Sequence, residues 1–141
     1  MAAWLFKSEP ASWSWDQQKA TGAAGQEWDG VRNFQARNHM RAMKRGDRGF
    51  FYHSGSERRI VGVVEVVGEA HPDSTDATGA WECVDIRAVS DLPDPVTLDA
   101  IKAEKRLADM ALVKNSRLSV QPVSDAEWEL VLRLGEPVGS E

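Results

Sequence analysis

The segment from Trp28 to Arg59 gathers three kinds of side chain: the amides of Asn33, Gln35 and Asn38, the rings of Trp28, Phe51 and Tyr52, and eight cations, Arg32, Arg37, Arg41, Lys44, Arg45, Arg48, Arg58 and Arg59. Only Asp29, Asp47 and Glu57 oppose them, so this segment carries +5 in a chain of net charge −5, and the remainder carries −10. A side-chain amide offers a donor and an acceptor in fixed geometry, which suits the edge of a nucleobase. An aromatic face stacks a base at about 1–3 kcal/mol, and clustered cations draw in phosphate and release its counterions. Together these groups fit a one-base pocket approached over a basic surface. The pocket is expected between the Trp28–Asn38 segment and the strand end Tyr52-His53-Ser54. Lys7, Ser8, Arg37, Arg117 and Ser119 are expected to reach base or phosphate from adjoining strands. The candidate binding set is therefore Lys7, Ser8, Trp28, Arg32, Asn33, Gln35, Arg37, Asn38, Tyr52, His53, Ser54, Arg117 and Ser119. Trp4, Phe50 and Trp128 are assigned to the core instead.

Two other classes of chemistry were weighed. Glu9, His53, Ser54 and Cys83 are the groups from which a hydrolytic set could be drawn, and His39, His53 and His71 are the potential metal ligands. Neither set has a spacing that chemistry requires: no G-x-S-x-G elbow, H-E-x-x-H, C-x-x-C or phosphate-binding glycine loop is present. No catalytic residue, metal or cofactor is expected. A small hydrolase-like domain or a protein-interaction domain without base reading remains the alternative, the latter with the acidic remainder of the chain as its surface.

The elements that must position the candidate residues follow from periodicity. Asn33 can cap a helix running to Lys44 or Arg45 and stopping at Gly46. On it Arg37, Arg41, Lys44 and Arg48 would form a cationic stripe beside the apolar stripe of Ala36, Met40 and Met43. Trp28-Asp29-Gly30 reads as a tight turn holding an indole at the rim. Strands are expected at Ala2–Phe6, Gly49–Ser54, Arg59–Val67, Trp81–Leu92 and Arg117–Val123. Ser14 with Gln17, and Ser124 with Glu127, form capping-box patterns that begin two more helices. Thr97 caps a further one, Leu107–Val113 adds a short helical piece, Gly22–Gly25 reads as a flexible loop, and His71–Ala80 as an exposed one. Gly62 and Gly68 mark bends of the kind that curl small sheets. The sum is an α+β domain on a strongly bent, barrel-like, mostly antiparallel sheet flanked by short helices.

At 141 residues the chain suits one domain, expected over residues 1–136 with a loose tail at 137–141. The single cysteine forms no internal disulfide, and with no basic-then-apolar leader the expectation is a reduced, cytoplasmic protein, or one of the nucleoid or nucleus, acting as a monomer. No apolar run approaches the roughly 20 residues that cross a bilayer, so no membrane partner is expected.

WLFKSEP near the N-terminus, EWDGVRNFQARN, MKRGDRGFFYHS, IVGVVEVVGEAHPD and LADMALVKNSRLSVQPV, taken in this order, closely resemble the EVE domain family across essentially the whole chain. The resemblance implies a PUA-like fold related to the YTH readers of methylated adenosine and the SRA readers of methylated cytosine. It also implies a pocket that accepts one extruded, modified base of DNA or RNA without transforming it. Compared with the fuller members of that family, the His71–Ala80 loop is short.

Overall fold

The computed structural model describes residues 2–136, and the segment 137–141 expected to form a tail lies outside them. Six strands, β1 (Ala3–Ser8), β2 (Gln26–Glu27), β3 (Arg48–His53), β4 (Arg59–Pro72), β5 (Glu82–Thr97) and β6 (Val120–Val123), form one sheet in the order β2-β5-β4-β3-β1-β6. Every pairing is antiparallel except β1 with β3. Five short helices accompany them: α1 (Trp15–Ala20), α2 (Phe34–Ala42), α3 (Leu98–Ala103), α4 (Ala111–Lys114) and α5 (Asp125–Leu134). The sheet is bent but not closed into a barrel by hydrogen bonds, because β2 and β6 remain its edges. Pro122, which has no N–H to donate, sits on edge strand β6, where a ladder tolerates it.

Curvature comes from irregular pairing between the two long strands. Along β4 and β5 the register shifts four times, near Gly62, Val64, Gly68 and His71. Leu92–Pro95 lies in one of these irregularities, which explains why β5 continues past the prolines expected to end it. At Gly62 a Cβ would overlap the indole of Trp15, so the backbone itself forms the surface on which that ring packs. Helix α2 touches β4, β5 and β6, strands from opposite parts of the sheet, and plugs the concave side.

Strand alternation then divides the apolar residues between two faces. Trp4 and Phe6 of β1 join Trp15, Trp28, Phe51, Val64, Ile86 and the α2 residues Ala36 and Met40 on the concave face. Ala3 and Leu5 join Phe50, Tyr52, Ile60, Val63, Ile101, Leu112 and Val131 on the other, beneath α3, α4 and α5. Trp128 lies against Phe50 there, with centroids 4.1 Å apart, as a core residue. Fully burying each such side chain is worth about 1.5–3 kcal/mol.

The caps at Ser14, Asn33, Thr97 and Ser124 form as the sequence indicates. Helix α2 is shorter than expected. It ends at Ala42 and Met43 is extended, because the buried Asp47 carboxylate accepts the Lys44 N–H at 3.0 Å and the Trp4 indole N–H at 3.0 Å. Lys44 and Arg45 therefore leave the helix and Arg48 opens β3, so the cationic stripe shrinks to Arg37 and Arg41. Gly22–Ala24 is a 3-10 turn rather than a loose loop, and it leads into β2, an edge too short to show in the sequence.

Asp47→Ala removes the acceptor of three donors, the N–H groups of Ala2 and Lys44 and the Trp4 indole, and is expected to destabilise the fold by about 2–4 kcal/mol, against under about 2 kcal/mol for Asp47→Asn. Urea unfolding followed by circular dichroism checks this. Equal losses for the two variants would mean that acceptor geometry at this position is not what matters.

Candidate functional site

The loop between β2 and α2 forms one wall of a cavity, and local chemistry fixes its path. Trp28 N–H donates to Val84 O at 2.8 Å, continuing the β2–β5 ladder. Its indole is only 8% exposed and meets Phe6 and Phe51 edge-on, with centroids 5.3 and 5.7 Å away. Gly30 turns the chain with φ +78°, a left-handed conformation that L side chains resist. Its N–H donates to Asp73 Oδ2 at 2.9 Å, and Arg32 Nη1 donates to the same oxygen at 3.1 Å. Thr75 donates to Asp73 Oδ1 through its N–H (2.8 Å) and hydroxyl (2.6 Å). Asp73 is almost wholly buried. Burial pushes its pKa up, but the bonds from Thr75, Gly30 and Arg32 outweigh that and bring it down to about 2.

The opposite wall is the end of β1 and the turn after it. Glu9 O accepts from the N–H groups of Ser12 and Trp13, both at 2.9 Å, and the Ser8 hydroxyl donates to Trp13 O. The Trp13 indole N–H donates to Gln18 Oε1 at 2.9 Å, and the fully buried Gln18 in turn donates to Ile86 O at 3.0 Å. Gln18 thus clamps Trp13 to β5. Ser119 closes the end, its carbonyl accepting the Lys7 N–H at 2.9 Å. The preceding turn is pinned by the buried Gln121, whose amide donates to Asn115 O and Leu118 O.

Between these walls lies a cavity of about 550 Å³, lined by Lys7, Ser8, Glu9, Ser12, Trp13, Gln26, Glu27, Trp28, Asp29, Gly30, Val31, Arg32 and Ser119. That volume lies within the range of small-ligand sites and exceeds one base. Its cations are already engaged: Arg32 pairs with Asp73, and the Lys7 ammonium donates to Ser116 O at 2.7 Å, where burial lowers its pKa. Among its carboxylates Asp29 and Glu9 are the freer groups, since Glu27 already accepts from Ser74 and Cys83. Burial and the neighbouring charges of Asp73 and Glu27 raise the pKa of Asp29, whereas bonds from Ser74 lower that of Glu27. The cavity consequently offers aromatic surface and acceptors, which suits a flat group that carries donors.

Five of the thirteen sequence candidates, Lys7, Ser8, Trp28, Arg32 and Ser119, line this cavity. Asn33 caps α2 through its bond from Ala36 N–H, and Gln35 and Asn38 are exposed on that helix. The Arg37 guanidinium lies 4.8 Å from the Phe34 ring and donates to Ala80 O. Alternation along β3 sends Tyr52 to the other face, where it is buried. His53 accepts the Trp15 N–H with Nε2 at 3.0 Å and meets Glu57 through Nδ1 at 2.8 Å, bordering a second hollow of about 620 Å³. Ser54 is half-buried and Arg117 exposed, and neither borders the cavity. The strand end facing Trp28 is therefore Lys7–Glu9 rather than Tyr52–Ser54, because β1 is inserted between β3 and β6. Trp13, Glu9, Ser12, Gln26, Glu27, Asp29 and Val31 were not anticipated. For Trp13 a signal existed: an indole directly before a capping box is held at a helix entrance rather than in its core.

The groups considered for hydrolysis are spread over several places, with the Glu9 carboxylate against Gly55. Glu9 borders the cavity, His53 the second hollow, and Cys83 is buried with its thiol donating to Glu27 Oε1 at 3.2 Å, where burial raises its pKa. Glu27, His71 and Cys83 each bring a potential ligand atom within 4.8 Å of the others, the one such group among the described residues. Those atoms bond within the protein: Glu27 to Ser74 and Cys83, and His71 Nε2 to Asp85 Oδ1 at 2.9 Å. No helix of the described residues is long and apolar enough to cross a membrane.

Residues 2–134 match the model of the EVE domain. Human thymocyte nuclear protein 1 is 35% identical over 94% of this chain and 73% of its own length. Among solved structures, Atu2648 of Agrobacterium tumefaciens superposes with a TM-score of 0.94 at 56% identity, over 99% of this chain and 96% of that one. Human THYN1, solved in complex with DNA containing 5-methylcytosine, superposes with a TM-score of 0.89 at 34% identity, over 97% of this chain and 99% of that one. The YTH domain of Zygosaccharomyces rouxii MRB1, solved with N6-methyladenosine RNA, has a TM-score of 0.61 at 18% identity over 99% of this chain and 87% of that one, a likeness of fold alone.

Asp73 links this site to stability. Its pKa of about 2 lies below its ordinary value of 3.8, so ionisation stabilises the folded chain above about pH 4. That contribution, about 2 kcal/mol, disappears as the pH falls from about 4 towards 2. Denaturant unfolding of wild type and Asp73→Asn at about pH 7 and pH 2.5 should show the gap between them shrinking by that amount. A gap independent of pH would mean that the Asp73 charge does not anchor the loop.

Proposed function

The chain belongs to the EVE domain family, and from that premise we propose that it is a non-catalytic nucleic-acid-binding module that takes one extruded, modified base into the cavity between Trp13 and Trp28. The observation that carries this reading is the cavity itself: larger than one base, bordered by two indoles and rich in acceptors. The 5-methylcytosine DNA held by the similarly folded THYN1 protein supports it.

Extruding a base costs a few kcal/mol, which the pocket must offset by stacking and edge bonds. Trp13 is the stacking face, since Gln18 fixes its indole and it is only partly buried. Trp28, packed on Phe6 and Phe51, is the floor. Asp29 and Glu9 accept hydrogen bonds, which a cytosine or adenine supplies through its exocyclic amine, whereas a thymine offers only its ring N3–H. A methyl group is sensed by apolar burial, at about 0.8 kcal/mol or about fourfold in affinity. Lys44 and Arg45, which have no ion-pair partner among the described residues, form the approach for phosphate, whereas Arg41 is paired with Glu82.

Titration with otherwise identical modified and unmodified oligonucleotides tests the reading. Trp13→Ala should lose about tenfold or more in affinity for the modified strand. Asp29→Ala should lose preference for amino-bearing bases. Trp28→Ala is uninformative unless its fold is verified, because truncating a core tryptophan costs about 3–5 kcal/mol. Unchanged affinity in Trp13→Ala, with no preference by wild type for any modification tried, would leave only generic nucleic-acid binding.

A further inference from the structure

Phe34 is one of two large apolar side chains exposed among the described residues, with 64% of its surface in solvent; the other, Val89, is 36% exposed. It opens α2 directly after the Asn33 cap, at a position the core does not demand. Its ring is nevertheless ordered by contacts. It stacks on Trp81, centroids 4.9 Å apart and planes 26° apart, and the Arg37 guanidinium lies 4.8 Å from Phe34 and 5.4 Å from Trp81. The Arg32 guanidinium lies 5.5 Å from the Trp81 ring, and Arg32 also lines the cavity, so the stack begins at the cavity rim. Arg37 has no acidic partner among the described residues; one nitrogen donates to Ala80 O, while its buried Nε has no bond.

We propose that Phe34, Trp81 and Arg37 form a second nucleotide site, which stacks the base next to the one held in the cavity while Arg37 supplies charge for the intervening phosphate. The proposal rests on the base-binding reading and extends it from one nucleotide to two. The occupant follows from shape and charge. A protein partner requires about 800 Å² per side, yet the patch is a single exposed ring among the exposed polar residues Asn33, Gln35 and Asn38. A nucleobase needs only one flat face, and every base has one. A guanidinium beside stacked rings adds positive charge where a phosphodiester would pass.

The test compares wild type, Phe34→Ala and Phe34→Tyr for binding a free modified nucleoside and an oligonucleotide with that nucleoside at its centre. Each flanking position is replaced in turn by an abasic residue, and folding is checked by circular dichroism. The expected result is about tenfold weaker oligonucleotide binding by Phe34→Ala, rescue by Phe34→Tyr and unchanged nucleoside binding. One abasic flank should weaken wild type equally while leaving Phe34→Ala unaffected. Wild-type oligonucleotide affinity in Phe34→Ala overturns the proposal and leaves a protein partner as the occupant of the patch. An equal loss for nucleoside and oligonucleotide also overturns it, by making Phe34 a support of the cavity. If wild type binds neither, the base-binding reading falls and this proposal with it.

Discussion

Everything at this site depends on one buried carboxylate. Asp73 lies 43 residues from Gly30, and its two oxygens accept four bonds from Gly30, Arg32 and Thr75. A loop without regular hydrogen bonding costs about 1–2 kcal/mol of backbone entropy per ordered residue. The Trp28–Arg32 loop meets that cost through Asp73 at one end and the Trp28 N–H to Val84 O bond at the other. The result is a wall whose shape is set before any ligand arrives, which lowers the cost of binding.

The tryptophans show a related economy of positions. Four indole rings are fixed by packing on the concave face or at its rim: Trp4, Trp15, Trp28 and Trp13. Three of their N–H groups have side-chain acceptors, Asp47 for Trp4, Asp91 for Trp15 and Gln18 for Trp13. A buried indole without an acceptor would be penalised by about 1–3 kcal/mol, so these partners choose the ring orientations. Trp13 is the ring that reaches the cavity while only half-buried, which separates it in place from the core indoles.

Charge is redistributed by folding in the same way. The basic segment meets acids from beyond it, Arg32 with Asp73, Arg41 with Glu82 and Arg48 with Glu65, while Arg59 pairs with Glu57 two residues away. The pairs other than Arg32–Asp73 are more exposed and add little stability, but all of them remove those cations from the field a phosphate would meet. The cavity is left acceptor-rich, and the cations of the segment without an acidic partner among the described residues are Arg37, Lys44, Arg45 and Arg58.

Local chemistry made much of this protein legible in its sequence. The capping boxes at Ser14 and Ser124, the Asn33 cap, the turn at Gly30, the bent antiparallel strands and the family resemblance all rest on neighbours within a few residues, whose geometry short-range sterics and hydrogen bonding fix. The cavity was legible only in part. Of the residues named from the sequence, Trp28, Arg32, Lys7, Ser8 and Ser119 line it, whereas Tyr52 lies on the other face and Trp13 borders it without having been named. Alternation along β3 turns Tyr52 to the other face, and the parallel insertion of β1 beside β3, which leaves no local trace, brings the Lys7–Glu9 end towards Trp28. The early end of α2 was likewise decided by Asp47, a competitor for its last donors that acts through its contact with Trp4, 43 residues away. Local sequence determined which elements form; long-range pairing decided which side chains share a cavity, because a strand's side chains face one side or the other only once its neighbours are chosen.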